Sequence, residues 1–442
     1  MSVLIQPIED QRSAAEHQES RQLDLTPRAR DQLNEALEGM ILSASRIEPG
    51  NGSDYGVTAL ADLALFLQQA ASISTRSGVD DRARVLADAA LELMAEQASH
   101  PHWIGGFPGT AWKLRLLHEG WGGADADFTE AVDDVIKALL DAEHWRGPYD
   151  LISGLVGFGL YALEHPSESF RHALATRVID HLDALKTSTS NGVTWHTHPD
   201  LLPPHQRQRY PDGYHNLGLG HGIAAIIGFL ARCVQESIDP MRSEALLLAT
   251  LDGFLEHQHK PGQTKEKDPH SVVFGNVAES PDESRALAWC YGDFGICLTL
   301  ARAGYVLNNQ ALIQTAKAVA DTCIGRRGER SDVVDAGLCH GSAGAALIFH
   351  RLWQLFGAGR YAEASGYWLD QTLSFLQPEF EISSGVYTIE GVGASRKLMA
   401  SLDGLTGMAG VGLTLLTCLH GVEIAWDAPL LSDLHRVRGG SS

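Results

Sequence analysis

The chain is poor in cysteine. Six occur in 442 residues (Cys233, Cys290, Cys297, Cys323, Cys339 and Cys418), too few and too scattered for a disulfide framework. A reducing, cytoplasmic setting is the expectation. No run of eighteen or more apolar residues appears, so no membrane-spanning helix is expected. The opening Met1-Ser2-Val3-Leu4-Ile5-Gln6-Pro7 lacks a basic stretch followed by an apolar core, which argues against a secretory signal. Positive charge is scarce: 34 Lys and Arg stand against 55 Asp and Glu, a net charge of −21. Such a surface repels nucleic acid phosphates but leaves room for a basic or polar peptide. Strand-like alternation is scarce as well. With 44% hydrophobic and 20% charged residues the chain is too apolar for disorder, and long enough for a large core.

What is present is glycine, in a recurring pattern. A small-residue element opens one apolar helical run after another: Gly56-Val-Thr-Ala59, Gly106-Phe-Pro-Gly109, Gly154-Leu-Val-Gly157, Gly222-Ile-Ala-Ala225, Gly292-Asp-Phe-Gly295, Gly341-Ser-Ala-Gly344 and Gly404-Leu-Thr-Gly407. Seven copies near a fifty-residue period indicate a repeat architecture. Apolar runs at 57–72, 155–163, 222–235 and 343–356 read as helices, and so do Arg82–Glu96 and Glu130–Ala142 between them. Each unit then holds two helices, and seven such pairs bury their faces by closing into a ring. The expected fold is all-α, an α/α toroid of about seven inner and seven outer helices. It would occupy 46–425, between an N-terminal segment (1–45) and a C-terminal tail (426–442). Glycine-bearing helix starts would gather at one mouth. Insertions around Thr187–Asn216 and His257–Ser284, the latter with a Lys-Glu-Lys-Asp-Pro run at 265–269, read as loops that serve either as lids or as plain surface.

The chemistry lies beside those glycines. Trp289-Cys290-Tyr291-Gly292 and Cys339-His340-Gly341 supply two thiols and an imidazole, the ligand types of zinc. Three protein ligands and an open fourth position are the pattern of a catalytic zinc. Aligning the repeats by their first glycine puts His221, Tyr291, His340 and Asp403 at one position, and Gly220, Cys290, Cys339 and Leu402 one earlier. The remaining cysteines sit in apolar runs and read as buried hydrophobes. His221 falls at the mouth, where an imidazole serves as acid or base. Asp150 looks like a helix N-cap by itself and lies less firmly at the mouth.

These motifs resemble the lanthionine synthetase C-like cyclases. The resemblance rests on Asp150-Leu-Ile-Ser-Gly154, Asn216-Leu-Gly-Leu-Gly-His221-Gly222, Trp289-Cys290-Tyr291-Gly292, Cys339-His340-Gly341 and Asp403-Gly404-Leu405-Thr406-Gly407, across about residues 50–420. It implies an α-toroid with one zinc ion per chain, held by Cys290, Cys339 and His340. It implies acid/base duty for His221 with Asp150 assisting, and a supporting polar role for Tyr291. The family's reaction adds a cysteine thiol to dehydroalanine or dehydrobutyrine, closing a thioether ring in a dehydrated precursor peptide. The repeats fill the chain, so a separate dehydratase is the expected partner. The family's arginine four residues before the first zinc cysteine is replaced here by Ala286, with Arg285 one residue back. That shift turns a helical side chain by about 100°. Asp293 and Phe294 also depart from the family pattern. Three other readings remain: addition of glutathione or another thiol to dehydrated peptides, a noncatalytic peptide-binding scaffold, and a toroid glycosidase with paired carboxylates.

Overall fold

A computed structural model describes residues 23–49, 56–97, 100–123, 128–259, 272–279, 286–376, 387–390, 397–422 and 424–437. Among these, fourteen principal helices alternate between two layers. The inner layer is α2 (Val57–Ala70), α4 (Phe107–Gly120), α6 (Leu155–Leu163), α8 (Ile223–Gln235), α10 (Asp293–Val306), α12 (Ser342–Phe356) and α14 (Met408–His420). The outer layer is α1 (Pro27–Ser45), α3 (Val79–Glu96), α5 (Phe128–Leu140), α7 (Glu168–Leu185), α9 (Pro240–Leu255), α11 (Gln310–Ile324) and α13 (Gly359–Phe375). Successive inner helices pack on one another, and α14 packs on α2, which closes the ring. The first helix, α1, lies against α13, α14, α2 and α3. It supplies the outer partner that the last inner helix does not get from the chain after it.

The two layers start their helices differently, and the difference is chemical. Several outer helices carry a side-chain cap: Thr26 accepts from Ala29 N, Ser167 from Phe170 N and Asn309 from Leu312 N. All seven inner helices are capped by glycine, with no side chain on the first amides. The second glycine of the repeat answers a steric need. A Cβ on Gly344 would lie 1.9 Å from the Leu338 carbonyl oxygen, and one on Gly295 would lie 2.1 Å from that of Trp289. At Gly109, Gly157, Gly295, Gly344 and Gly410 the preceding loop folds back over the helix start, and there only a bare Cα leaves room for it.

This geometry corrects one register. The cap of α14 is Gly407, not Gly404, and the residue folded against its loop is Gly410. The position before the cap is therefore Thr406, with Leu405 before that. Asp403 instead matches Asp150, each four residues ahead of its cap.

Two further segments depart from a purely helical reading. The first insertion holds a small antiparallel pair, β1 (Thr187–Ser188) with β2 (Val193–Thr194), and a bridge from Thr197 to Tyr214. Strands β3 (Tyr387–Glu390) and β4 (Lys397–Ala400) form an antiparallel hairpin before α14. The Lys-Glu-Lys-Asp-Pro run at 265–269 lies outside the described residues.

After α14 the chain enters the lumen. A 3-10 turn at Ala425–Leu430 is buried. Asp427 pairs with Arg351 of α12 at 2.9 Å, and Asp433 pairs with Arg302 of α10. Indoles from the mouth loops reach down to this strap: Trp289 donates to the Leu430 carbonyl (2.7 Å) and Trp103 to that of Pro429 (3.4 Å). The strap floors the cavity that the mouth opens into.

Candidate functional site

The mouth is a belt of loops joined at equivalent positions. Two residues before the glycine caps stand Ile104, Ile152, Gly220, Cys290, Cys339 and Leu405. The Ile104 amide donates to the Ile152 carbonyl (3.2 Å), Gly220 to Cys290 (2.9 Å) and Cys339 to Leu405 (3.0 Å). Trp289 also donates to the Cys339 carbonyl at 2.7 Å. Cys290 and Cys339 are therefore neighbours because they hold the same place in consecutive repeats. Cys290 Sγ lies 3.9 Å from the Cys339 carbonyl oxygen.

His340 follows Cys339 and completes a cluster. Its Nε2 is 3.4 Å from Asp335 Oδ2, a carboxylate that is almost fully buried. The thiol of Cys339 hydrogen-bonds to Cys290, which holds the Cys290 thiol well below its ordinary value against the opposing effect of burial; His340 adds to the pull. The same contact, with burial, pushes Cys339 well up. The hydrogen bond to Asp335, then the one to Cys290, raises His340 to about 10. The contacts within the cluster thus favour a charged Cys290 and His340 and a neutral Cys339.

These donors fit zinc by type, with two sulfurs and one imidazole. Asp335 on the other ring nitrogen is the usual outer partner of a metal-bound histidine. The geometry is less complete. Among the described residues no three His, Cys, Asp or Glu side chains form a ready coordination cage. The expected triad is brought together here by mutual hydrogen bonds, not in a coordination geometry.

Facing it is the second pair. His221 Nδ1 lies 2.7 Å from Asp150 Oδ2. Asp150 Oδ1 accepts the Ser153 amide at 2.7 Å, so this carboxylate caps the turn with one oxygen and holds the imidazole with the other. Burial works against a charged His221, but the hydrogen bond and charge of Asp150 outweigh it, and the net effect is a raised pKa. The His221 ring remains 39% exposed, open to a substrate. Tyr291 lies 6.3 Å from His221 between ring centroids, and its hydroxyl is 3.5 Å from Asn216 Nδ2. Burial raises its phenol, so Tyr291 stays a proton-bearing group.

Arg285 lies outside the described residues. Asp293 is fully buried and accepts from Val273 N, Phe274 N and Arg326, tying the second insertion to the start of α10. Phe294 is buried against Phe349. Both build the wall behind the site.

Several site residues have roles that the motifs alone do not assign, Asn216 among them although it opens one. Asp335 and Asn216 each stand six residues before a cap and accept the amide two residues on, at 2.9 Å in both cases. The shared Asp/Asn-x-Gly spacing was the available signal. Tyr214, from the first insertion, is buried beside Asn216 and Tyr291. Tyr149 donates to the Trp195 carbonyl at 3.3 Å, so this insertion walls the site next to Asp150. His102 feels both Asp150 and His221, and burial lowers its pKa.

Comparisons with known proteins bear on the family and the fold. The family model described as lanthionine synthetase C-like protein matches residues 57–431. The nisin biosynthesis protein NisC of Lactococcus lactis subsp. lactis is 26% identical over 257 residues, spanning 55% of this chain and 58% of that relative. A solved nisin cyclase superposes with a TM-score of 0.71 at 18% identity, covering 92% of this chain and 99% of the other.

Proposed function

The chain belongs to the lanthionine synthetase C-like family, and on that premise we propose that it is a zinc-dependent cyclase closing thioether rings in a dehydrated peptide. The observation that carries the reading is the meeting of Cys290, Cys339 and His340 opposite the His221–Asp150 pair at one mouth.

Cys290, Cys339 and His340 would hold the ion. When bound, zinc would lower the pKa of a substrate cysteine and keep its sulfur nucleophilic at neutral pH. The remaining work falls to the chain's own groups. The substrate sulfur forms a bond to the β-carbon of dehydroalanine or dehydrobutyrine, and the electron pair moves to the α-carbon enolate. Protonated His221 stands across the mouth to deliver the proton there, and the proton lost by the thiol restores it. No oxidant is needed, since the product is an isomer of the substrate. Asp150 fixes the ring and favours its charged form. Tyr291, held by Asn216, offers a neutral hydroxyl to the developing oxyanion. The belt and its walls hold the peptide so that addition is effectively unimolecular.

A dehydrated peptide is the proposed substrate, a separate dehydratase the proposed partner and the cytoplasm the proposed location. Among the described residues no helix is long and apolar enough to cross a membrane. The test is to incubate zinc-loaded protein with a synthetic peptide carrying one dehydroalanine and one cysteine. The thiol should become resistant to alkylation with no change in peptide mass. A product heavier by one glutathione, when glutathione is supplied, would move the reading to intermolecular addition. An unaltered, still alkylatable peptide would leave a binding scaffold.

A further inference from the structure

We propose that a cavity of about 400 Å³, whose wall at Leu405 adjoins the Cys339 loop, receives apolar side chains flanking the dehydro residue of the substrate, and so selects which peptides are processed. This rests on the cyclase reading for the identity of the peptide, but not for the cavity's preference. Its size falls within the range of ligand pockets, roughly 300–1,000 Å³.

The walls come from the seventh, first and second repeats. Ala59, Leu65, Leu405, Leu413, Trp426 and Leu430 line it. The cavity descends beside α2 and α14 by about two helical turns, roughly 10 Å, and the lumen strap closes its base. At the rim, a Cβ on Gly56 or Gly105 would meet nothing within 4 Å among the described residues.

Two observations choose the occupant. The first is charge. One ion pair borders the cavity, Lys113 Nζ to Asp62 Oδ1 at 2.5 Å, and Asp62 also accepts the Gly404 amide at 2.9 Å. Asp403 is also in the lining, its oxygens accepting from Leu405 N, Thr406 N and the Ser401 and Thr406 hydroxyls, so two carboxyls and one ammonium border the cavity. An anionic occupant is disfavoured, and the rest of the surface offers contact to apolar groups. The second is continuity with the site. Leu405 lines the cavity, while its carbonyl receives the amides of Leu338 (2.8 Å) and Cys339 (3.0 Å). The cavity wall at Leu405 is thus hydrogen-bonded to the Cys339 loop.

The test uses two synthetic peptides, identical except for leucines or alanines on both sides of a single dehydroalanine, each with one cysteine. Affinity is measured by calorimetry on the full protein, and ring closure by loss of alkylatable thiol. The leucine peptide should bind about tenfold more tightly. Ala59→Phe fills the cavity and should bring the ratio of the two affinities to within about twofold; Ala59→Leu serves if the larger residue prevents folding. Equal affinities in the wild type, a ratio that survives the filling in folded protein, or equal weakening of both peptides would each overturn the proposal. A leucine preference that the filling abolishes, without any thiol loss, would keep the cavity and defeat the cyclase reading. Thiol loss with no preference would do the reverse.

Discussion

The mouth and the lumen of the ring use reactive and charged side chains in opposite ways. In the lumen the charges are buried in pairs. Arg351 and Asp427 are both 0% exposed and paired, and Arg302 with Asp433 is nearly as dry. At the mouth burial is incomplete: His221 and His340 remain over a third exposed, and Cys290 and Cys339 are only partly covered. The cysteines alone show the same division. Cys233, Cys297 and Cys323 are buried, and burial pushes their thiols up, which keeps them protonated and inert. At the mouth Cys290 is drawn the other way by its neighbours, while its partner Cys339 is pushed up by that same contact and by burial. One scaffold thus holds charges as structure where burial is matched by a partner, and as chemistry where an approach to solvent is left open.

The sharpest way to break this comparison is at a sulfur. Cys339→Ala should abolish stoichiometric zinc binding and slow ring closure by at least about a thousandfold, while the metal-free protein still unfolds as a single folded species. Metal analysis and chemical denaturation read the two halves separately. A full zinc complement in the variant would remove Cys339 from the ligand set.

The lumen should respond in the reverse sense. Asp427→Ala leaves Arg351 buried without its carboxylate, and breaking such a pair costs about 3–5 kcal/mol. The denaturation midpoint should fall accordingly, while zinc binding persists at temperatures where the variant is folded. If the strap variant lost zinc without losing stability, the division drawn here would be wrong.

The sequence already carried much of this layout, for a physical reason. Glycine caps repeat because the loops before α4, α6, α8, α12 and α14 fold back on them in the same way, and that need writes itself at fixed spacing. The same repetition made Cys290 and Cys339 legible as neighbours. It also misled at the last repeat. Gly404 and Gly407 are three apart like the other pairs, and only the fold-back of the loop shows that Gly407 is the cap. What depended on long separations stayed hidden. Nothing local distinguishes Asp427 from a surface acid; its partner is 76 residues away. Tyr214 reaches Tyr291 only because an insertion folds onto the mouth. The β3–β4 hairpin is too short to impose a pattern that stands out from its surroundings.

Within the mouth, metal holding and proton delivery should separate. His221→Ala should keep its zinc and lose about a hundredfold in rate, the usual worth of a positioned acid. Loss of zinc in this variant would fold His221 into the ligand set and leave the proton donor unassigned.

The finest division lies inside the His221–Asp150 pair. Asp150 raises the pKa of His221 above its ordinary value, against the pull of burial. If protonated His221 is the donor, activity is full below that raised pKa and declines as pH climbs through it. Asp150→Asn removes the charge but can still accept the Ser153 amide that caps the turn. The donor then loses its proton at lower pH, so the descending limb of the rate profile should move down. Below the new limb the variant should approach the wild-type rate, and near neutrality it should lag by up to about tenfold. A pH–rate profile on a defined peptide reads this directly. A limb that stays in place would mean that Asp150 serves the turn alone, and would turn attention to His102, which shares the field of both residues.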